Sequence, residues 1–373
     1  MEINFSKTKI LDKDKDRLWP IWNIDHDECN DIESVKSFKY LGVPVTFKGQ
    51  VRWTYGPHSN QVISRAKRYK SAIFKISLDS IDKAEAIKIC WENVAVPSIL
   101  FGTETTTFTL KTRMTLERIQ CDVARLCLGV RKNTSGLGSR VEAGMMSMSS
   151  RILMRQLNYV NSVMSRTDST AHQAWVENNS QHWKSPLKKL WSDIKDKTHS
   201  RGKIRQQEVK HSVHALENIT IYRDLQGYSS LKYMTSTSLK TRGKYIQRSR
   251  QQDIIKAFRV GDWRLGIREL KYTTGMIYCP FGCQTTFDLP HFMFWCPALD
   301  STRKDTGLYE FHRSHQAREY EDRDIVIKFL WALDDDMETV KCHGDTLIKM
   351  RNKWYCLAEE KNVNLNVNFK KCE

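Results

Sequence analysis

Three cysteines and a histidine lie within eighteen residues of the stretch CPFGCQTTFDLPHFMFWCP: Cys279, Cys283, His291 and Cys296, in the pattern C-x3-C-x7-H-x4-C. Thiolate and imidazole are the donors that Zn2+ takes in a closed tetrahedron. Gly282, just before the second cysteine, lets the chain turn tightly enough to bring both sulfurs to one ion. His291 precedes Cys296 by five residues, a separation that a short helix or turn can fold onto the same ion. Four protein donors leave no open coordination position, so the spacing predicts a structural Zn2+ rather than a catalytic one. The bland alternative is a set of buried thiols beside a core histidine, a combination that chance rarely spaces this way. Cys342 and Cys356 have no comparable grouping.

Other chemistry is sparse. The sequence has no glycine-rich phosphate loop and no conspicuous Cys–His pair for nucleophilic catalysis. Asp334, Asp335 and Asp336 in ALDDDMET read as a polar turn or a helix cap, and His211 and His214 in HSVH read as surface. No catalytic residue is assigned, and the chain as it stands is not expected to be an enzyme.

The elements that position the four donors belong to a chain of 373 residues, long enough for two or three small domains. Hydrophobic residues make up 40% and charged residues 28%, and eleven tryptophans with thirteen tyrosines argue against a largely disordered chain. No run approaches the roughly 18 apolar residues that cross a bilayer. The opening MEINFSKTKILDKDKDRLW scatters charges where a signal peptide needs an apolar block. The expectation is an intracellular protein, not secreted and not in a membrane, whose ten cysteines are reduced or metal-bound.

Charge is concentrated. The net formal charge is +17, and between Lys184 and Lys271 there are 21 Lys and Arg against 8 Asp and Glu. A basic surface of this density favours a polyanion, because each neutralised phosphate releases condensed counterions. Arg242, Lys244, Arg248 and Arg250 are candidate contacts in that segment. Tyr222, Tyr228, Tyr233, Tyr245, Phe258 and Trp263 are interleaved with the cations and could stack on unpaired bases, although core positions suit most such rings better. RNA, DNA or both are the expected partners.

Periodicity predicts a mainly α fold with a small β part. FKYLGVPVTFKG reads as a strand, a tight bend and a second strand. Beyond Pro57 a helix places Val62, Ala66, Tyr69, Ile73 and Ile76 on one face, with Arg65, Lys67, Arg68 and Lys70 around the rest. A second helix starts after Asp82 and runs until Pro97 constrains it. A third carries Leu116, Ile119, Val123 and Leu126 on one stripe and stops at Gly129. The helix over RILMRQLNYVNSVM completes a bundle in which Met145, Met146, Met148 and Met154 fill gaps. Helices bearing Trp175, Trp183 and Trp191 lead into the basic segment, SSLKYMTSTSLKTRGK reads as an exposed loop, and DIVIKFLWAL and TLIKMRNKWYCLAEE look helical.

Taken in order, these segments resemble the C-terminal part of the reverse transcriptases of non-LTR (LINE-type) retrotransposons. NFSKTK, with Asn4, Lys7 and Lys9, is similar to the family's palm-closing Asn-x-x-Lys-Thr-Lys segment, and Tyr40, Leu41 and Gly42 to its primer grip. SRAKRYKSAIFKI, WENVAVPSILFGTE and LERIQCDVARLCLGV resemble its thumb, and the Cys-Cys-His-Cys cluster, followed by a proline and soon by an arginine, its knuckle. The resemblance extends to about residue 303. It implies a β-rich end of palm and primer grip over 1–56, a helical thumb-like bundle over 57–166, and a basic helical connector over 167–272. A zinc knuckle over 273–300 and a C-terminal helical tail over 301–373 complete the expected organisation. In the family, the palm-closing lysine lies near the incoming nucleotide, the primer grip supports the growing 3′ end, and the knuckle is associated with binding element RNA or target DNA.

One departure governs the functional expectation. Polymerase chemistry needs carboxylates that hold two Mg2+ ions. In the family these sit in an aromatic-x-Asp-Asp turn and an earlier strand, upstream of the segment that corresponds to Met1. DHDE, Asp25 to Glu28, follows the lysine segment and lacks flanking strand residues. Mg2+ is therefore expected only with a full-length relative. The leading expectation is a nucleic-acid-gripping portion, nuclear or cytoplasmic, with the missing polymerase half as a further partner. Its rivals are a truncated remnant without activity and an adapted host interaction protein.

Overall fold

The computed structural model describes residues 10–11, 19–22, 29–32, 34–35, 37–40, 43–48, 52–54, 56–79, 83–106, 108–177, 181–198, 203–226, 250–263, 278–318, 320–331, 337–361 and 363. Among them the chain is mostly helical, with short strands confined to the N-terminal part. Two compact units are distinguished: Met1–Ile76, Ile89–Gln120 and Ser147–Glu217 form the first, and Ser77–Lys88, Cys121–Met146 and Asn218–Glu373 the second.

Among the described residues the first unit begins with seven strands in three small sheets. Strand β1 (Ile10–Leu11) pairs in parallel with β4 (Ser34–Val35), and β2 (Trp19–Trp22) runs antiparallel to β3 (Cys29–Ile32). Strands β5 (Ser37–Tyr40), β6 (Val43–Lys48) and β7 (Arg52–Thr54) form an antiparallel meander. The two expected strands are there, with Tyr40 paired to Val43, while Leu41 and Gly42 between them lie outside the described residues. Pro44 lies in the part of β6 that pairs with β5 alone, since β7 pairs only with Thr46 to Lys48.

Helix α1 (Gly56–Asp79) buries Val62, Ala66 and Ile73 at the predicted spacing, while Lys67 and Arg68 are exposed. Arg65 turns inward enough for its Nη1 to donate to the carbonyl of Ser98 at 3.3 Å. Helix α2 (Lys83–Ile89) does not end before Pro97. It widens into a π turn over Cys90–Ala95 and continues as α3 (Val96–Ile99), with Pro97 in its first turn. Proline has no N–H to offer the carbonyl four residues back, and its ring crowds that carbonyl. The wider turn moves the bonding to i→i+5, and the N–H of Val96 donates to Trp91. Trp91 is fully buried, and its indole N–H donates to Gln120 Oε1 at 3.2 Å.

Helix α4 (Leu110–Leu128) ends as its sequence predicts. Gly129 has φ +66°, its N–H donates to Leu126, and the N–H of Val130 donates to Arg125, the paired bonds of a left-handed glycine cap. Further along the chain, α5 (Gly136–Glu142) leads to α6 (Met148–Met164), which starts where Ser147 Oγ accepts the N–H of Ser150 at 3.0 Å. Within the first unit α6 packs with α7 (Thr170–Glu177) and α8 (Gln181–Lys197), burying Leu157, Val160 and Val163 against Leu187 and Ile194. Asn161 fixes the approach to α9 (Gln206–Gln226): its amide donates to the carbonyl of Ile204 at 2.7 Å and accepts that residue's N–H at 3.0 Å. Met145 and Met148 are fully buried, as gap-filling residues should be.

In the second unit α10 (Arg250–Arg259) packs along α14 (Met337–Glu360), with α11 (Asp300–Asp305), α12 (Leu308–Gln316) and α13 (Asp322–Trp331) around them. One apolar core joins Phe258, Phe292, Ile325, Phe329, Leu347 and Trp354. The helices cross closely at Gly344, where an added Cβ would stand 2.3 Å from Cβ of Gln251. No helix among the described residues is long and apolar enough to cross a membrane.

Part of the basic surplus is internal. Lys256 and Arg259 are only 4% and 3% exposed. The guanidinium of Arg259 donates to the carbonyl of Leu330 and pairs with the buried Glu142 carboxylate at 3.2 Å. Asp262 similarly takes Arg131 at 2.8 Å. Both pairings lie within the second unit, and the first takes Arg259 out of the cations that the residue count alone would have assigned to the surface.

Candidate metal centre

Cys279 sits at the mouth of a narrow turn. Its N–H takes the carbonyl of Thr285 at 3.0 Å, and Tyr278 bridges to Thr286. Between them the chain reverses through Gly282, whose φ of +85° is open to glycine without strain, and whose N–H donates back to Cys279. Gln284 follows at φ +53°. This reversal places Cys283 beside Cys279 and directs both sulfurs to the same side.

The other two donors flank a π turn, His291–Trp295. Asp288 starts it by accepting the N–H of His291 on Oδ1 at 2.9 Å, a capping interaction legible in the sequence DLPH. The N–H of Cys296 donates to the carbonyl of His291 at 2.7 Å, so a backbone bond joins the last two donor residues directly.

The result is one cluster. The donor atoms of Cys279, Cys283, His291 and Cys296 all lie within 4.8 Å of one another. Sγ of Cys296 is 3.8 Å from that of Cys279 and 3.9 Å from that of Cys283. Zn–S bonds of about 2.3 Å arranged tetrahedrally give edges of about 3.8 Å, so these separations suit a single ion at the centre. The imidazole provides an independent test. Its Nδ1 faces the Thr285 hydroxyl at 3.2 Å, while Nε2 is buried with no hydrogen-bond partner. A metal-binding histidine has this character, with one nitrogen oriented by a neighbour and the other left for the ion. The group can therefore hold a metal ion.

The thiols polarise each other. The hydrogen bond with Cys296 and burial push Cys279 up, whereas the bond from Cys279 lowers Cys296. Burial raises Cys283 and lowers His291. A neutral imidazole is the ligand form. The thiols must lose their protons on binding, and a dication supplies the charge that permits it.

The cluster's support comes mostly from residues outside it. Phe281, inside the turn, meets Trp354 with ring centroids 4.4 Å apart, and Phe287 meets the same indole at 4.6 Å. Trp354 on α14 is fully buried. Sequence reading missed Thr285, Asp288 and Trp354. The first two carry a local signal in their distance from His291, whereas Trp354 carries none.

The predicted nucleic-acid contacts are distributed otherwise. Lys67 and Arg68 are exposed on α1, and Arg65 and Lys70 are half-buried there. Tyr40 ends β5, and Arg250 begins α10. Lys7, Lys9, Leu41, Gly42, Arg242, Lys244 and Arg248 lie outside the described residues. So do Asn4, Asp25–Glu28, Tyr228, Tyr233, Tyr245, the loop at 229–244 and Asp334–Asp336. Of the interleaved aromatics, Phe258 is buried and Trp263 donates its indole N–H to the carbonyl of Phe258 at 3.1 Å. Cys342 and Cys356 are exposed and stand apart from the cluster.

In comparisons with known proteins, no family model matches the chain, and no curated protein or solved structure does either. The likeness to reverse transcriptases rests on the residues themselves.

Proposed function

We propose that the chain is a nucleic-acid-binding module, corresponding to the C-terminal portion of a non-LTR reverse transcriptase without the catalytic aspartates. The N-terminal strands stand for the end of the palm and the primer grip, the latter matched by Tyr40, Leu41 and Gly42 in the sequence. Helices α1 to α6 stand for the thumb, and the metal cluster for a zinc knuckle.

The observation that carries this reading is the pairing of a four-donor cluster with a concentrated basic stretch. The cluster has all four positions filled by protein atoms, so its metal, Zn2+ on the chemistry of the donor set, organises structure and does not activate a substrate. The stretch from Lys184 to Lys271, with 21 cations against 8 anions, supplies attraction to phosphates through those of its cations other than the buried Lys256 and Arg259. Helix α1 adds Lys67 and Arg68 facing solvent and has no acidic residue in its first turn.

The test is fluorescence anisotropy of the full chain with a labelled RNA hairpin across a salt series. A linear fall of log affinity with log salt, with a slope of about five phosphate contacts or more, is the expected result. Absence of binding at low salt would overturn the reading.

One observation favours a second reading, that of a remnant or an adapted host protein whose partner is another polypeptide. In the first unit Phe74, Val94, Phe101, Leu110 and Met114 are large apolar side chains between 48% and 73% exposed. Such residues suit a surface that a polymerase half or another protein covers. Tight binding to a protein partner without affinity for RNA would favour it.

A further inference from the structure

Next to the cluster is a cation with too few partners. The Arg303 side chain, on α11, is 4% exposed. Its Nη2 donates to Asp300 at 3.1 Å, while Nε and Nη1 are buried with no hydrogen-bond partner. Buried guanidinium groups are normally satisfied, since unmade bonds to a charged group cost several kcal/mol. Asp300 is a weak counter-ion here. It is 44% exposed and shares its other oxygen with Lys304 at 2.9 Å.

The missing compensation lies in the metal centre. Binding a dication by three thiols and an imidazole gives M2+ + 3 Cys–SH + His → [M(Cys–S−)3His]− + 3 H+. The loaded centre thus carries one negative charge inside a largely buried site, and a buried net charge needs an opposite one nearby. Arg303 is placed to provide it. A short helical turn, Pro297–Leu299, connects Cys296 to α11, and α11 packs against the π turn that begins at His291.

We propose that Arg303 is a positioning residue of the metal centre, the fixed counter-charge that makes the anionic, metal-loaded state stable at neutral pH. This rests on the reading of the cluster as a metal site. Loading would set a net negative charge on the side of the π turn against which the helix of this cation packs.

The test uses the full chain, purified metal-free under reducing conditions, and titrates Co2+ and Zn2+ against a chromophoric chelator from pH 5.5 to 8. Sulfur-to-cobalt charge-transfer absorption reports the thiolate ligands directly. In Arg303→Gln the affinity at pH 7 is expected to fall about ten- to a hundredfold, the usual effect of losing an outer-sphere partner. The pH of half-loading should also move upward, because the thiolates lose their stabilising charge. Arg303→Lys keeps the charge and should stay near the parent. Asp300→Asn removes the competing anion at a half-exposed position and should move half-loading to lower pH.

A purely structural arginine would weaken binding equally at every pH, and Lys would not rescue it. That result overturns the proposal, as does Arg303→Gln with unchanged affinity. If Arg303→Gln does not fold, Asp300→Asn decides: half-loading that stays or moves upward overturns the proposal. A parent chain that takes up neither ion overturns the metal reading itself, an outcome distinct from a parent that binds and variants that do not differ.

Discussion

Trp354 stands edge-on to Phe281, with ring centroids 4.4 Å apart and planes inclined at 61°. One residue sits inside the turn between two metal-donor cysteines; the other is on the last long helix, more than seventy positions later. The candidate metal cluster is thus seated on α14 and shares its core.

Trp354→Ala should therefore damage two properties together. Removing a fully buried indole from between Phe281, Phe287 and Phe292 should cost about 3–5 kcal/mol of stability. Metal affinity should fall with it, as the turn bearing Cys279 and Cys283 loses its support. Denaturant unfolding and a chelator competition on the same preparation check both. Full metal affinity in a destabilised variant would show that the turn stands alone.

The four donors should behave as a set distinct from the remaining cysteines. Cys279→Ser and Cys283→Ser should each abolish stoichiometric metal uptake, whereas Cys342→Ser, at an exposed position away from the cluster, should retain it. Metal content by mass spectrometry under native conditions gives the answer. RNA affinity measured on the same three variants should follow the same order.

Gly344→Ala tests the closest helix crossing. A methyl group there would meet the Gln251 Cβ at 2.3 Å and its backbone at 2.6 Å, so the helices must separate. Overpacking of this kind costs about 1–3 kcal/mol. Thermal unfolding of the variant should show a lowered midpoint, and a midpoint equal to the parent's would mean that the crossing is looser than described.

His58 gives the first unit a dependence on pH. It is fully buried against Phe108, with ring centroids 5.8 Å apart, and burial holds it below its ordinary value, partly offset by Gln61. The unfolded chain then binds a proton that the folded chain refuses, so stability is fully present above about pH 6.5 and declines as pH falls from there toward the folded value. His58→Phe should flatten that part of the profile. Denaturant midpoints between pH 5 and 7.5, followed by a probe in the first unit, would show it.

What could be read from residues alone followed how local the determinants were. The four donors and the turn glycine lie within eighteen positions, so the donor set was visible, while Thr285 and Asp288 inside the same stretch were missed. Helix α4 was equally plain, since its apolar stripe and its glycine cap are read along one strand of text. Pro97 misled because proline predicts a stop only while the helix stays regular, and the π turn accommodates it. The burial of Arg259 was not legible for another reason. Its partner Glu142 is 117 positions away, and nothing near it in sequence announces that its charge is internal. Trp354 and Arg303 support the cluster through tertiary packing, which residue spacing does not encode.

The backbone bond from Cys296 to His291 also bears on which ions the centre would accept. Those two donors are locked together by their own π turn, whereas Cys279 and Cys283 hang from a turn hinged at Gly282 with open space around it. The first pair is thus joined by one short backbone bond, and the second through the longer bond, 3.3 Å, from Gly282 to Cys279. An ion larger than zinc would be accommodated by movement of the cysteine turn, which would press Phe281 toward Trp354. Discrimination by ionic size would then be set less by the donors than by how far that aromatic stack yields.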